Sequence, residues 1–385
     1  MRSYLDYNAT APLRPEAKTV MLAALQSCGN ASSVHAEGRQ ARSIIDEARR
    51  DVASLVGVGA DNVIFTSGGT EANALALLGS IDEAAKSGAR ISRLIVSAIE
   101  HESVRANAAF CEETKPGLRV AVCPVTAQGQ IDLDVLRRLL MEGKGRALVS
   151  IMAVNNETGV VQPIKGAVAL SRAHGALVHC DAVQAAGRMP ISFDDWDVDY
   201  LSLSAHKIGG PQGAGALVVR NGVPLASQAR GGSQELGRRA GTENVAALAG
   251  FGAAAKAAAR EVIVVQAWAA RRDSLERRLR EASAVVFGAE AERVVNTICV
   301  AAPGVSAATM VIALDLDGFA VSAGSACSSG KVSQSHVLAA MGVDAELAAC
   351  AIRISFGWHT GDEELTVFAE AWTRVVRRAQ SRVAA

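Results

Sequence analysis

Ser202-Leu203-Ser204-Ala205-His206-Lys207-Ile208-Gly209-Gly210-Pro211-Gln212-Gly213 lies between two short apolar runs. The alternating run Val198 to Leu203 leads into it, and Gly215-Ala216-Leu217-Val218-Val219 follows. Both read as strands, which puts Lys207 in a tight, glycine-bearing loop between them. Alone, such a lysine is a solvated loop residue. Further upstream the same alternation recurs. Asn62 to Thr66, Arg93 to Ala98, Ala147 to Val154 and Ala176 to Asp181 read as strands, with helical patterns between them. From about residue 60 to 220 this predicts an α/β architecture, a doubly wound, mostly parallel sheet with helices on both faces.

The chain has 385 residues, half of them hydrophobic and a fifth charged. That is enough for large cores and long for one domain. From roughly Arg271 the pattern changes to mixed strands and helices, ending in an amphipathic helix from Asp362 to Arg378. We therefore expect a large domain over 13–258 and a smaller α+β domain made of 1–12 and 259–385. Lys+Arg and Asp+Glu are both 39, so neither a nucleic-acid surface nor a charged binding tail is expected. Seven scattered cysteines without C-x-x-C pairs argue against disulfides or a zinc site. Six of them, Cys28, Cys111, Cys123, Cys180, Cys299 and Cys350, read as small buried hydrophobes in a reducing compartment. No apolar run approaches ~18 residues and residues 1–15 lack a signal core, so a cytoplasmic protein with no membrane contact is expected.

Chemistry enters with Asp181 and Gln184 at the end of the run Ala176 to Gln184. A carboxylate in an apolar strand needs a cation, and a protonated pyridine nitrogen is one candidate. Gln184 can then serve a ring oxygen, and Ser204 and His206, flanking Lys207, can reach a phosphate. Lysine is the side chain for covalent attachment to a carbonyl. Ser67-Gly68-Gly69-Thr70-Glu71-Ala72-Asn73 reads as a turn opening a helix, either an anion site or an ordinary start capped by Thr70. His101 follows a strand at its carboxyl end, where open α/β sheets carry their sites. Cys327 sits in the small-polar run Val321 to Ser335 and differs from the other thiols in its setting. That run fails the Walker pattern in spacing and at Val332, and the glycines at 210, 213 and 215 miss G-x-G-x-x-G.

With D-x-x-Q at 181–184 and S-x-H-K at 204–207, the chain resembles the pyridoxal-phosphate (PLP) enzymes of the class V aminotransferase group. Within that group it is similar to the cysteine desulfurases of the NifS/IscS type, from Tyr4-Leu5-Asp6-Tyr7-Asn8-Ala9-Thr10 to Ile352-Arg353-Ile354-Ser355-Phe356-Gly357. The resemblance implies a homodimer of PLP-dependent transferase fold type I. It implies that Lys207 holds PLP, Asp181 partners the ring nitrogen, and His101 stacks on the ring and moves protons. Gly69, Thr70, Ser204 and His206 would bind the phosphate, joined by Thr242 from the other subunit. Asn156 and Gln184 would lie near the ring oxygen, Asn156 also near substrate. Arg353 would clamp the α-carboxylate of L-cysteine, and Cys327 would take its sulfur as a persulfide for an iron–sulfur scaffold or other acceptor. Ala31 stands where the family has proline, and Ala323 where a serine is common; both are mild departures. Within the resemblance, the sequence from Cys327 through Ser335-His336-Val337-Leu338 favours the long-loop class over the short-loop class. The alternatives are a selenocysteine lyase with the same PLP core, or a small-amino-acid aminotransferase with no need of Cys327. A third is a sulfur-carrier docking platform rather than an enzyme.

Overall fold

The structure, a computed structural model, describes residues 2–323 and 334–383. Cys327 therefore lies outside the described residues. Seven strands form the main sheet: β1 (Val63–Thr66), β2 (Ile91–Ser97), β3 (Arg119–Cys123), β4 (Arg146–Met152), β5 (Leu177–Asp181), β6 (Tyr200–Ser204) and β7 (Gly215–Val219). Their order is β1-β7-β6-β5-β4-β2-β3. The five from β6 to β3 run parallel, and β7 runs antiparallel to both of its neighbours. Strands β5, β6 and β7 are buried throughout. Helices on both faces explain why both sets of alternating side chains are buried, and why β7 is apolar throughout.

The two faces carry separate packing. Val149, Ile151, Val178, Cys180, Leu201 and Leu203 enter one core. Leu148, Leu177, Tyr200 and Leu217 enter the other, as the period-2 geometry of strands requires. On the second face the carboxyl ends become polar. His179, fully buried, bonds Ser150 Oγ through Nδ1 at 2.8 Å and Ser202 Oγ through Nε2 at 2.9 Å. Burial pulls its imidazole down to about 4, with Asp181 opposing the shift. It is thus a neutral cross-link beneath Asp181.

Two helices show what holds the layer beneath the sheet. Ala36–Val56 packs on Val245–Glu261, and Gly252 permits the contact: a Cβ there would lie 2.5 Å from Ala48 Cα. Gly252→Val is expected to destabilise the fold by about 1–3 kcal/mol through overpacking. Urea unfolding checks this, and an unchanged midpoint would show that the two helices separate freely.

A second, antiparallel sheet has the order β10-β11-β9-β8, from β8 (Val285–Val286), β9 (Thr297–Ala301), β10 (Ser322–Ala323) and β11 (Ala351–Ser355). It shares a core with the helix Asp362–Val383 through Ile298, Ile352, Phe368 and Trp372, and Leu5 joins that core. Full burial of a side chain such as Leu5 contributes about 1.5–3 kcal/mol. Together with the parallel pairing of Ser3–Tyr4 on Phe319–Ala320, this ties the amino terminus to the second sheet. Ile99 and Met152 meet Phe287, Cys299, Val337 and Leu338 in a further cluster that joins the two parts.

Local expectations mostly hold, with two corrections. The helix after β1 begins at Gly69 with Gly68 as its N-cap, so Thr70 is not the cap. Cys28, expected to be buried, is exposed just past the end of helix Pro15–Gln26, where the chain leaves the core. Cys111, Cys123, Cys180, Cys299 and Cys350 are buried as expected. Among the described residues no helix is long and apolar enough to cross a membrane.

Candidate active site

The carboxyl ends of β2, β4, β5 and β6 open onto a cavity of about 370 Å³. Gly69, Thr70, His101, Asn156, Asp181, Gln184, Ser204, His206, Lys207 and Arg353 all line it. Residues far apart in sequence thus meet because parallel strands deliver their following loops to one edge. Thr242 is exposed and does not line the cavity of its own chain. A larger groove of about 530 Å³ lies between helices Pro15–Gln26, Ala36–Val56 and Val245–Glu261. It holds none of these groups, so the chemistry favours the smaller cavity.

One end of the cavity is built for an anion. The N-cap Gly68 supplies no capping side chain, which leaves first-turn N–H groups of the helix at Gly69 available. A Cβ on Gly69 would meet Val183 Cγ2 at 2.8 Å and Ser204 Cβ at 3.5 Å, so only glycine keeps this cradle open. Ser204 Oγ is buried and, among the described residues, has no hydrogen-bond partner. His206 Nδ1 is 3.2 Å from Thr10 Oγ1. Burial, then Lys207, then Arg188 push its imidazole down to about 4, so it is neutral at pH 7.

Asp181 faces the other end. Its Oδ1 accepts from the Val183 N–H at 3.0 Å, and its Oδ2 accepts from Asn73 Nδ2 at 2.8 Å. The same Asn73 nitrogen donates to Ser103 Oγ at 2.9 Å, so the Ser103 hydroxyl turns its proton to His101 Nδ1, 2.8 Å away. The Ser103 N–H also points at Nδ1, at 3.1 Å. With two donors on Nδ1, a neutral His101 carries its proton on Nε2. Asn73 and Ser103 escaped the sequence reading because nothing in the pattern marks them. Only the fold brings them between His101 and Asp181.

Lys207 follows β6 in a 3-10 turn, Ala205–Lys207. Its Nζ donates to the carbonyls of Asn8 and Ala9, at 2.7 Å each. Asn8 in turn donates through Nδ2 to Asn156 O and Thr297 Oγ1, and through its N–H to Ser355 Oγ. The amino-terminal loop thereby links Lys207 to the second sheet. Arg353, on β11, is buried and ion-paired to Asp6 at 2.7 Å, with a further bond to Asn156 O at 3.1 Å. Asp6 also accepts from Ser322 Oγ at 2.7 Å. Arg353 Nε is buried without a partner among the described residues, so the fork keeps donor capacity on the cavity wall.

Two acidic side chains lie behind the cavity. Glu100 is fully buried, with Oε1 accepting from the Met152 N–H at 2.7 Å. Burial, and then the negative charge of Asp181, hold it well above the usual carboxylate range. Glu157 accepts from Ser335 Oγ at 2.5 Å. Burial raises its carboxyl to about 7, against the lowering effects of Ser335, Arg353 and His101. The folded state therefore holds the Glu157 proton more tightly than the unfolded chain. That group's contribution to stability falls as pH rises from about 4.5 to about 7. The total loss is on the order of 3 kcal/mol. Glu157→Gln, which cannot ionise, should remove this loss, so the variant gains on wild type between pH 5 and pH 8 in urea unfolding. An equal pH dependence in both proteins would show that Glu157 is not buried as described.

Among the described residues no cluster of His, Cys, Asp and Glu could hold a metal ion. What the cavity offers is an anion cradle, a carboxylate for a cation, a lysine amine and an arginine fork.

The family described as aminotransferase class-V matches residues 3–368. A cysteine desulfurase IscS of Dictyoglomus turgidum is 38% identical over 382 residues, covering 98% of this chain and 95% of that protein. A cysteine desulfurase of Cereibacter sphaeroides is 42% identical over 371 residues, covering 94% and 92%. Among solved structures, a NifS-like protein superposes with a TM-score of 0.91 at 32% identity, covering 98% of this chain and all of that one.

Proposed function

The chain belongs to the aminotransferase class-V family, and on that footing we infer that it is a PLP-dependent cysteine desulfurase. It takes sulfur from L-cysteine and releases L-alanine. The observation that carries the reading is that Lys207, Asp181 and Arg353 line one cavity, with the Ser204 hydroxyl, partnerless among the described residues, beside the Gly69 cradle. Full-length similarity to proteins named cysteine desulfurase supports the same assignment.

The donor set fits PLP. Gly69, Thr70, Ser204 and His206 would hold its phosphate, Asp181 its ring nitrogen, Gln184 and Asn156 its ring oxygen, and Lys207 its carbonyl carbon. When bound, the cofactor supplies a sink for the electron pair left at the substrate α-carbon.

The chain's own residues do the rest. Arg353 binds and orients the amino acid through its α-carboxylate, a planar pairing that lysine would not reproduce. The Lys207 amine moves the α-proton. His101, with its proton on Nε2, serves as a donor to the substrate side of the cavity. Cys327, outside the described residues, is the proposed nucleophile. Its thiolate attacks the substrate sulfur, so an S–S bond forms as the C–S bond breaks and the bonding pair passes to the substrate carbon. The persulfide then moves to an acceptor thiol, for which an iron–sulfur scaffold is the proposed partner.

We also infer a homodimer, in which Thr242, exposed on its own chain, completes the partner's phosphate site. The division into 13–258 and 1–12 with 259–385 is likewise our reading; the two separate cores support it.

Purified protein with added PLP, L-cysteine and a dithiol, which reduces the persulfide to free sulfide and is itself oxidised to a disulfide, tests the function, with alanine and sulfide measured together. Both products should appear in equal amounts. Transamination without sulfide would make the protein an aminotransferase, and turnover confined to L-selenocysteine would make it a lyase. Capture of a sulfur carrier without turnover would leave a docking platform.

A further inference from the structure

Arg188 lies behind the cavity in the turn after β5, only 5% exposed. A buried guanidinium is expensive unless a carboxylate answers it. Among the described residues Arg188 forms no ion pair. Its Nη1 donates instead to the backbone carbonyl of Gln184 at 2.8 Å and to the side-chain oxygen of the same residue.

That contact has a logical consequence for Gln184. A guanidinium has only N–H groups, so the amide atom facing it must be oxygen. Nε2 then faces the opposite way, where one N–H donates to Asn8 O at 3.0 Å. The second N–H has no protein acceptor among the described residues, and Gln184 is on the cavity wall.

We propose that Arg188 is a positioning residue that turns Gln184 into a donor facing the cavity and sets a positive charge behind it, so the site favours an anionic oxygen on the bound cofactor. The proposal rests on the reading that the cavity takes PLP. Two further observations agree with it. The charge of Arg188 contributes to depressing His206 on the cavity wall. Burial, with Arg353 a lesser cause, lowers the Arg188 guanidinium only to about 9, so it is charged at neutral pH. Among the described residues, the other charged or titratable groups around the cavity are Lys207, His206, His101, Asp181 and the Asp6–Arg353 pair, with Glu100 and Glu157 behind them. They are common to every variant below.

The test is the protonation midpoint of the holoenzyme's visible cofactor band. A positive charge disfavours protonation nearby, so Arg188→Met should raise the midpoint by about one pH unit, a roughly ten-fold tighter hold on the proton. Arg188→Lys should recover at least half of that shift. An unchanged midpoint in folded, PLP-loaded Arg188→Met overturns the proposal. If that variant does not fold, Gln184→Glu decides. Its carboxylate can accept from Arg188, which favours folding, but it neutralises the charge and lacks the N–H, so the midpoint should again rise; no change overturns the proposal. If wild-type protein shows no cofactor band at all, the PLP reading fails and the part of the proposal that concerns the cofactor falls with it. The Arg188–Gln184 orientation is then judged on the chain alone, from unfolding equilibrium constants of Arg188→Met, Gln184→Ala and the double variant. Coupling of about five-fold or more supports positioning, and simple additivity overturns it.

Discussion

Lys207→Ala is expected to lose alanine formation from L-cysteine by about a thousand-fold or more, while the protein stays folded. The Lys207 amine donates to Asn8 O and Ala9 O. Its removal forfeits at least these two charge-assisted hydrogen bonds to a loop, a loss of about 3 kcal/mol or more. Among the described residues no other lysine lines the cavity, so none of them can replace it. Borohydride treatment of the PLP-loaded wild type, followed by peptide mapping, gives the complementary readout. The label should sit on the peptide that contains Lys207. A label on another lysine, or turnover near the wild-type rate in Lys207→Ala, would remove Lys207 from the account.

The second large effect is expected for Asp181→Asn. The carboxylate accepts from two donors, Asn73 and the Val183 N–H. An amide has one acceptor oxygen, so one of these donors must face an NH2 group. The folding loss should be about 1–3 kcal/mol, that of one unsatisfied buried group. Catalysis should suffer more, by roughly a hundred- to a thousand-fold, because a fixed charge aimed at a developing charge in a dry site has been removed. A second readout separates this from general damage. Asp181 is the second cause of the raised Glu100 carboxyl and also raises His179 against its burial. In the variant both groups should titrate lower. Wild-type kinetics in a folded, PLP-loaded Asp181→Asn protein would contradict the role given to this carboxylate.

The sheet and the chemical centre were legible in the sequence for the same reason. Strands β5 and β6 are short, largely apolar runs that end at a polar group, and that interruption marks where the chain leaves the core toward a site. Asp181, Ser204 and Lys207 stand at such interruptions, and His101 opens the helix Glu102–Thr114 just after β2. The supporting residues gave no such signal. Asn73 looks like any polar residue early in a helix, yet it holds Asp181 across 108 positions of sequence. Asn8 and Ala9 hold the Lys207 amine across 199 and 198 positions. Asp6, which pairs with Arg353 from 347 positions away, stood only within the stretch Tyr4 to Thr10 that opens the resemblance, with no role of its own. Periodicity reports which face a residue lies on, not which residue it will meet, so contacts closed by tertiary folding stay hidden. Thr70 shows the reverse error. A threonine before a helical run has the chemistry of a cap, but the glycine pair ahead of it starts the helix earlier, with the Gly68 backbone packed so close to Gly215 that a Cβ on Gly215 would lie 2.5 Å from it.

The desulfurase assignment is tested most directly by finding where the substrate sulfur goes. Protein loaded with PLP is exposed briefly to L-cysteine, the reaction is stopped, and the peptides are weighed while alanine is counted. The account predicts a gain of about 32 Da, one sulfur atom, on the peptide that contains Cys327. It also predicts one alanine for each persulfide formed, and neither product from Cys327→Ser, whose hydroxyl is barely ionised near neutral pH. Sulfur on another cysteine, or alanine and sulfide released by Cys327→Ser at the wild-type rate, would contradict it.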